Sequence, residues 1–278
     1  MTLGITLVPL PTHKVGLRAG VLAFHDVPPV GSPVGTAVFV PGYTGSKEDF
    51  ALLASPLAGA GWRYVAIDQR GQFESVGPDD PAAYGVEALA GELLEFLATL
   101  PGETGPVHVV GHSFGGLVTR AAAIREPGAM ASMTLLGSGP AGLSGARVEA
   151  MRALEPVLEE HGPERLFEII AGIEPGTPDT ELTAFLRRRF LASSVTALRA
   201  MGEAVTDEPD RVDELRATGL PLLVVAGEHD DAWSPELQRE MASRLGAPFE
   251  VIAGAVHSPA AERPEETARV LVSFWASV

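Results

Sequence analysis

The chain reads as an α/β protein, a mostly parallel central sheet with helices on both faces and a helical cap insertion. Three observations lead there. Short apolar or β-branched runs recur along the 278 residues, each closed by Gly or Pro and each followed by a longer stretch of helical periodicity. The runs are too continuously apolar for half-exposed antiparallel strands, so they belong to a sheet covered on both faces. Residues 141–218 interrupt the alternation with helical patterns alone.

The first element expected is a hairpin over Val15–His25 at a sheet edge. Strands follow at Thr36–Val40, Tyr64–Ile67, Val107–Val110, Met133–Leu136, Leu222–Ala226 and Phe249–Ala253. Helices are expected at Lys47–Ala58, Tyr84–Thr99, Gly115–Arg125, Pro235–Arg244 and Pro264–Ala276; in the second, Ala88-Leu89, Leu93-Leu94 and Phe96-Leu97 make one buried stripe. Inside 141–218 the patterns are Gly145–Glu160, Glu164–Ala171, Thr180–Leu191 and Val195–Val205, broken by Pro163, Pro175, Pro178 and Pro209. That stretch carries 9 Arg against 15 Asp and Glu, a charge of −6. Insertions of this kind sit where strand ends open onto a ligand cleft. The core domain is thus 1–140 with 219–278, and 141–218 is a cap inserted after the sixth strand.

Composition narrows the partners. With 20 Lys and Arg against 36 Asp and Glu the formal charge is −16, and only Lys14 and Lys47 are lysines, so no nucleic acid is expected as partner. The one basic run, Arg187-Arg188-Arg189, reads as a solvated helix face. The hydrophobic fraction of 46% is enough for a packed core. Cysteine is absent, which removes disulfides, thiolate nucleophiles, iron–sulfur clusters and cysteine zinc sites. The N-terminus lacks a basic leader followed by a sustained apolar stretch, and no run approaches the ~18 apolar residues of a membrane span, so a soluble cytoplasmic protein is expected.

The strongest chemical signal is Gly111-His112-Ser113-Phe114-Gly115-Gly116, between the strand Val107–Val110 and a helix. A serine on a sharp strand-to-helix turn is strained, with its hydroxyl exposed above the sheet, and the helix N-terminus offers unpaired N–H groups to an oxyanion. The plainer reading is an N-cap serine in a glycine-rich turn. Serine needs a base beside it, oriented by a carboxylate. Of seven histidines, His257 stands out, in the loop Gly254-Ala255-Val256-His257-Ser258-Pro259 after a late strand. The carboxylate comes from Glu228, Asp230 or Asp231 after Leu222–Ala226; Asp230 is preferred, with Asp231 read as surface or turn-forming.

The order Ser113, Asp230, His257 is that of α/β-hydrolases, and here the chain resembles that superfamily in its serine-nucleophile, esterase-like branch. Four segments carry the likeness: the loop Pro41-Gly42-Tyr43-Thr44-Gly45-Ser46, the serine turn, the loop from Gly227 to Pro235 and the loop Gly254–Pro259. Asp68-Gln69-Arg70-Gly71-Gln72-Phe73-Glu74-Ser75 is similar to a family turn, with Phe73 at its second glycine. One oxyanion N–H is expected from Phe114, beside the nucleophile. The resemblance implies a second from Tyr43, although Pro41 stands where the family usually has His; alternatively Tyr43 gives only its ring to the pocket wall.

The resulting expectation is cleavage of a small-molecule carboxylic ester, or a lactone or thioester, through an acyl-enzyme. Carbon–carbon bond hydrolysis, perhydrolysis and lyase chemistry use the same triad, and a non-catalytic ligand-binding member of the fold is a further alternative. Serine at 113 argues against the carboxylate nucleophile of epoxide hydrolases and haloalkane dehalogenases. No cofactor and no metal are expected, since neither H-E-x-x-H nor a dinucleotide fingerprint occurs. Trp233 either lines the cleft or packs under a loop, and Phe167, Ile169, Ile170, Phe185, Leu186 and Phe190 form either an acyl site or simple packing.

Overall fold

The computed structural model describes residues 7–100, 105–174 and 179–278. The expected breaks at Pro175 and Pro178 lie outside the described residues. Eight strands form one sheet: β1 (Thr12–Leu17), β2 (Gly20–Val27), β3 (Gly35–Val40), β4 (Trp62–Ile67), β5 (Val107–His112), β6 (Ser132–Leu136), β7 (Leu222–Gly227) and β8 (Phe249–Ile252). Their spatial order is β1-β2-β4-β3-β5-β6-β7-β8. The hairpin β1–β2 adds antiparallel on β4, and every pairing from β4 to β8 is parallel.

All residues of β3, β5 beyond Val107, β6 and β7 are buried, as a sheet covered on both faces requires. β8 departs from that reading. It is an edge strand with Glu250 and Val251 exposed, because nothing pairs beyond it. Helices α2 (Val86–Thr99), α3 (Phe114–Arg125) and α8 (Pro235–Leu245) bury apolar residues in a cluster on one face. On the other face, α1 (Ala54–Gly59), α9 (Pro259–Glu262) and α10 (Pro264–Trp275) do the same.

The helix expected over Lys47–Ala58 divides into a 3₁₀ segment, Lys47–Leu53, followed by α1. The N–H of Lys47, free of an intrahelical acceptor as the first of its segment, donates to Asp68 Oδ1 at 2.7 Å and ties the start of the segment to the loop after β4.

Between β6 and β7 the described residues hold no strand. They form α4 (Ala146–Ala171), kinked where Gly162 leaves helical geometry (φ 76°), then α5 (Glu181–Ala192), α6 (Val195–Asp207) and α7 (Val212–Ala217). The α5–α6 junction rests on the loop after β4: Ser194 N–H donates to Gly71 O, and Phe73 N–H donates to Ser193 Oγ. α7 instead packs beside α3 and α8. The arginine run on α5 corrects the expectation of a solvated face. Arg187 pairs with Asp179 and Glu164, and Arg189 with Asp49, both side chains largely covered, while Arg188 is exposed and lies over the Phe185 ring.

Candidate active site

The residues singled out from sequence meet where the parallel strands end. Ser113 follows β5 and caps α3 with φ 54° and ψ −123°, a conformation that non-glycine residues rarely adopt. It is held there by Ser113 N–H donating to Leu136 O at 3.0 Å and by Ser138 Oγ donating to Ser113 O at 2.8 Å. The hydroxyl is thereby lifted off the sheet toward the β8 loop. His257 Nε2 lies 3.0 Å from Ser113 Oγ, and His257 Nδ1 lies 2.9 Å from Asp230 Oδ1. An ionised carboxylate only accepts, so the proton sits on Nδ1 and Nε2 is free to accept from the serine.

The acid left open between neighbours resolves by burial. Asp230 is 5% exposed and faces the imidazole, whereas Asp231 is exposed and pairs with Arg147. Glu228 also points elsewhere, accepting from Gly254 N–H. Burial pushes the Asp230 carboxyl up, but hydrogen bonds from His257, Ala232 N–H and Gln238 outweigh it and hold its pKa below the ordinary value. It stays charged near neutral pH.

Three supporting residues escaped the sequence reading. Gln238, fully buried on α8, donates from Nε2 to both Asp230 Oδ2 (2.8 Å) and Trp233 O (2.7 Å). Its signal was present: Gln238 falls on the same helical stripe as Met241, Ala242 and Leu245, a polar residue where the period demands an apolar one. His112 donates from Nε2 to His257 O at 2.8 Å, which steadies the β8 loop. Lys47, wholly buried, pairs with Glu48, Asp68 and Glu74, its ammonium over the ring of Phe73.

The loop after β3 lies against the nucleophile. A Cβ placed on Gly42 would come within 2.9 Å of Ser113 Cβ and 3.4 Å of its Oγ, so glycine is what lets this backbone approach. Without the family's histidine at Pro41, the loop is fastened from the β4 side: Gln69 Nε2 donates to Pro41 O and Gln72 Nε2 to Gly42 O, both at 2.8 Å. Phe73 meets the departure from glycine directly by adopting φ 38° itself. Among the described residues, neither Tyr43 N–H nor Phe114 N–H is bonded to a protein acceptor. The Tyr43 ring reaches away, its hydroxyl donating to Leu198 O on α6 at 2.8 Å.

Trp233 is buried and donates to Ala141 O, its ring 6.3 Å from that of His257. Phe167 and Phe190 pack on each other, and Ile169 and Ile170 are exposed. Among the described residues no group of His, Asp and Glu side chains is disposed to hold a metal, and no helix is long and apolar enough to cross a membrane.

A solved structure of the enol-lactonase from Burkholderia xenovorans LB400 superposes with a TM-score of 0.78 at 22% identity, covering 95% of this chain and 100% of that one; at this identity the likeness bears on fold. The chain is 30% identical over 247 residues to the dihydrolipoyllysine-residue acetyltransferase component of the acetoin cleaving system of Cupriavidus necator. It spans 61% of that relative's length, with 83% of its own length aligned. It is 29% identical over 243 residues to the monoacylglycerol lipase of Mycolicibacterium smegmatis, covering 78% of each. The model of the alpha/beta hydrolase family matches residues 37–270, a span that takes in the sheet from β3 onward, the serine turn and the loops of Asp230 and His257; the chain belongs to that family.

Proposed function

We propose that the protein is a serine hydrolase of small-molecule carboxylic esters, with Ser113 as nucleophile, His257 as base and then acid, and Asp230 as the group that orients the imidazole. The supporting observation is the unbroken chain from Ser113 Oγ to His257 Nε2 and from His257 Nδ1 to Asp230, at 3.0 and 2.9 Å. As Ser113 Oγ bonds to the ester carbonyl carbon, its proton passes to His257 Nε2. The tetrahedral oxyanion is held by Phe114 N–H and Tyr43 N–H, neither of which has a protein acceptor among the described residues. His257 then gives its proton to the departing alkoxide, the carbon–oxygen bond breaks, and an acyl-serine remains. Water, deprotonated by His257, reverses these steps and releases the acid. Helices α4–α6 act as the cap over this mouth, and the monoacylglycerol lipase relative agrees with ester chemistry.

The test is covalent trapping. A fluorophosphonate is expected to label Ser113 alone, with p-nitrophenyl butanoate turnover lost in proportion; turnover that survives complete labelling, or no labelling and no turnover, would refute the proposal.

Gln238 acts through Asp230 as a positioning residue. Changing Gln238→Leu removes the donor on Oδ2 and is expected to lower kcat about 10-fold with KM unchanged, the scale of one hydrogen bond to a charged group. A lower melting temperature with kcat intact would assign Gln238 to folding alone.

A further inference from the structure

An oxyanion donor must point at the place where charge develops, and loss of one costs about 100- to 1,000-fold in rate. A backbone N–H cannot be turned by itself. The amide is planar and trans, so the Tyr43 N–H and the Gly42 carbonyl share one plane and point to opposite sides of it. Whatever grips Gly42 O therefore aims the Tyr43 N–H. The need is acute at this peptide, because Gly42 has to stay without a side chain to pass Ser113, and its backbone is correspondingly free to turn.

Gly42 O accepts two hydrogen bonds, from Gly45 N–H at 3.0 Å and from Gln72 Nε2 at 2.8 Å. The first is a local turn bond that already satisfies a buried carbonyl, so the second is not needed for that purpose. It carries a cost all the same. Gln72 is 2% exposed, and a buried glutamine surrenders the freedom of a long side chain that an exposed one keeps. Its amide is used at both ends: Oε1 accepts from Gln69 N–H at 3.1 Å, which leaves Nε2 directed at Gly42 O. Gln69 repeats the arrangement one peptide earlier, with its own Nε2 on Pro41 O.

The residues on either side of Gln72 are braced from another segment. Phe73, at φ 38°, holds a conformation that bulky side chains avoid, and its N–H donates to Ser193 Oγ at 3.1 Å, while Gly71 O accepts from Ser194 N–H at 2.8 Å. A strained turn, clamped by the α5–α6 junction, thus delivers one side chain to one carbonyl beside the nucleophile.

We propose that Gln72 is a positioning residue for acyl transfer: by gripping Gly42 O it aims the Tyr43 N–H at the oxyanion, with Gln69 fixing the orientation of its amide. A carbonyl that accepts also polarises its own amide, which makes the N–H across the plane a better donor. This rests on the serine hydrolase reading above and adds to it a residue that acts through Tyr43.

The experiment uses Gln72→Met, which keeps the length of the side chain and removes the donor. Turnover of p-nitrophenyl butanoate is expected to fall at least ~10-fold in kcat and kcat/KM alike, as for an interaction made in the transition state, since the Tyr43 N–H is still present but no longer aimed. A second readout addresses the oxyanion itself. With a trifluoromethyl ketone of the same chain length, Ser113 Oγ bonds to the ketone carbon, the carbonyl oxygen becomes the oxyanion, and the serine proton passes to His257 Nε2. Its inhibition constant is expected to rise by the factor through which kcat/KM falls. A lower melting temperature with kcat and the inhibition constant unmoved would make Gln72 a folding residue and overturn the proposal, as would a raised KM with kcat unchanged. Gln72→Asn, one methylene shorter, withdraws the amide from Gly42 O and carries the same expectation if Gln72→Met does not fold. Fluorophosphonate labelling separates the two readings. If neither reagent engages Ser113, the serine reading falls and this proposal with it, whereas full labelling with equal inhibition of variant and unaltered protein overturns the role of Gln72 alone.

Discussion

Exchange of Ser113 for alanine is expected to reduce ester turnover by roughly 10⁴-fold or more while the protein stays folded. The size follows from the division of labour. Without the hydroxyl no acyl-enzyme forms, and what remains is binding and the oxyanion donors acting on water. The fold is spared for a local reason. Ser113 Oγ is bonded to His257 and to no other described group, whereas the contacts that hold the turn, to Leu136 O and from Ser138 Oγ, use the backbone of residue 113. Alanine keeps that backbone and the same Cβ at φ 54°. Kinetics with p-nitrophenyl butanoate, beside a thermal melt, check both halves, and a variant retaining a tenth of the activity would remove Ser113 from the mechanism.

The second large effect is on stability in mild acid. His108 is packed against Trp62 and Trp275, with ring centroids 5.1 and 5.6 Å away, and burial lowers its pKa to about 4. His112 is likewise lowered to about 4, first by burial and then by the neighbouring His257. Unfolded, each imidazole titrates near 6.5. As pH falls below 6.5 the unfolded chain takes up protons that the native rings refuse, so stability present above that pH is lost progressively down to about 4. The loss is on the order of 3 kcal/mol for each ring, and Asp68, raised to about 7 mainly by burial, works against it by binding a proton in the native state over the same window. His25, buried beside Glu48, is lowered in the same direction, burial outweighing the carboxylate. Urea unfolding at pH 7.5, 5.5 and 4.5 measures this; a midpoint that does not move across the window would mean that the two rings titrate as free histidines do.

The legible part of the site was what local backbone rules dictate. A serine between a buried strand and a glycine-rich helix start has one place to go, and a histidine and an acid after two later strands arrive at the same sheet end because parallel strands all point there. The rest depended on partners remote in sequence. Asp230 and Asp231 are indistinguishable as neighbours, and they separate only because one turns inward to His257 while the other meets Arg147. Phe73 stands at the second glycine of the turn, and it takes the positive φ itself, beneath the ammonium of Lys47 and against the ring of Phe185. The triple arginine looked solvated because its acids lie on other segments: Asp49 precedes Arg189 by 140 positions.

By itself the order of residues determined the parallel sheet, the sharp turn at Ser113 and the family, since hydrophobic period, glycine placement and strand-end position act over a few residues at a time. Only the tertiary structure decided which carboxylate faces the imidazole, that Gln238 holds it, that Gln69 and Gln72 fasten the loop after β3, and that the Tyr43 ring is laid against α6. The physical reason is that each of these is a hydrogen bond between segments that the chain folds together, and its energy depends on distances that no local pattern encodes.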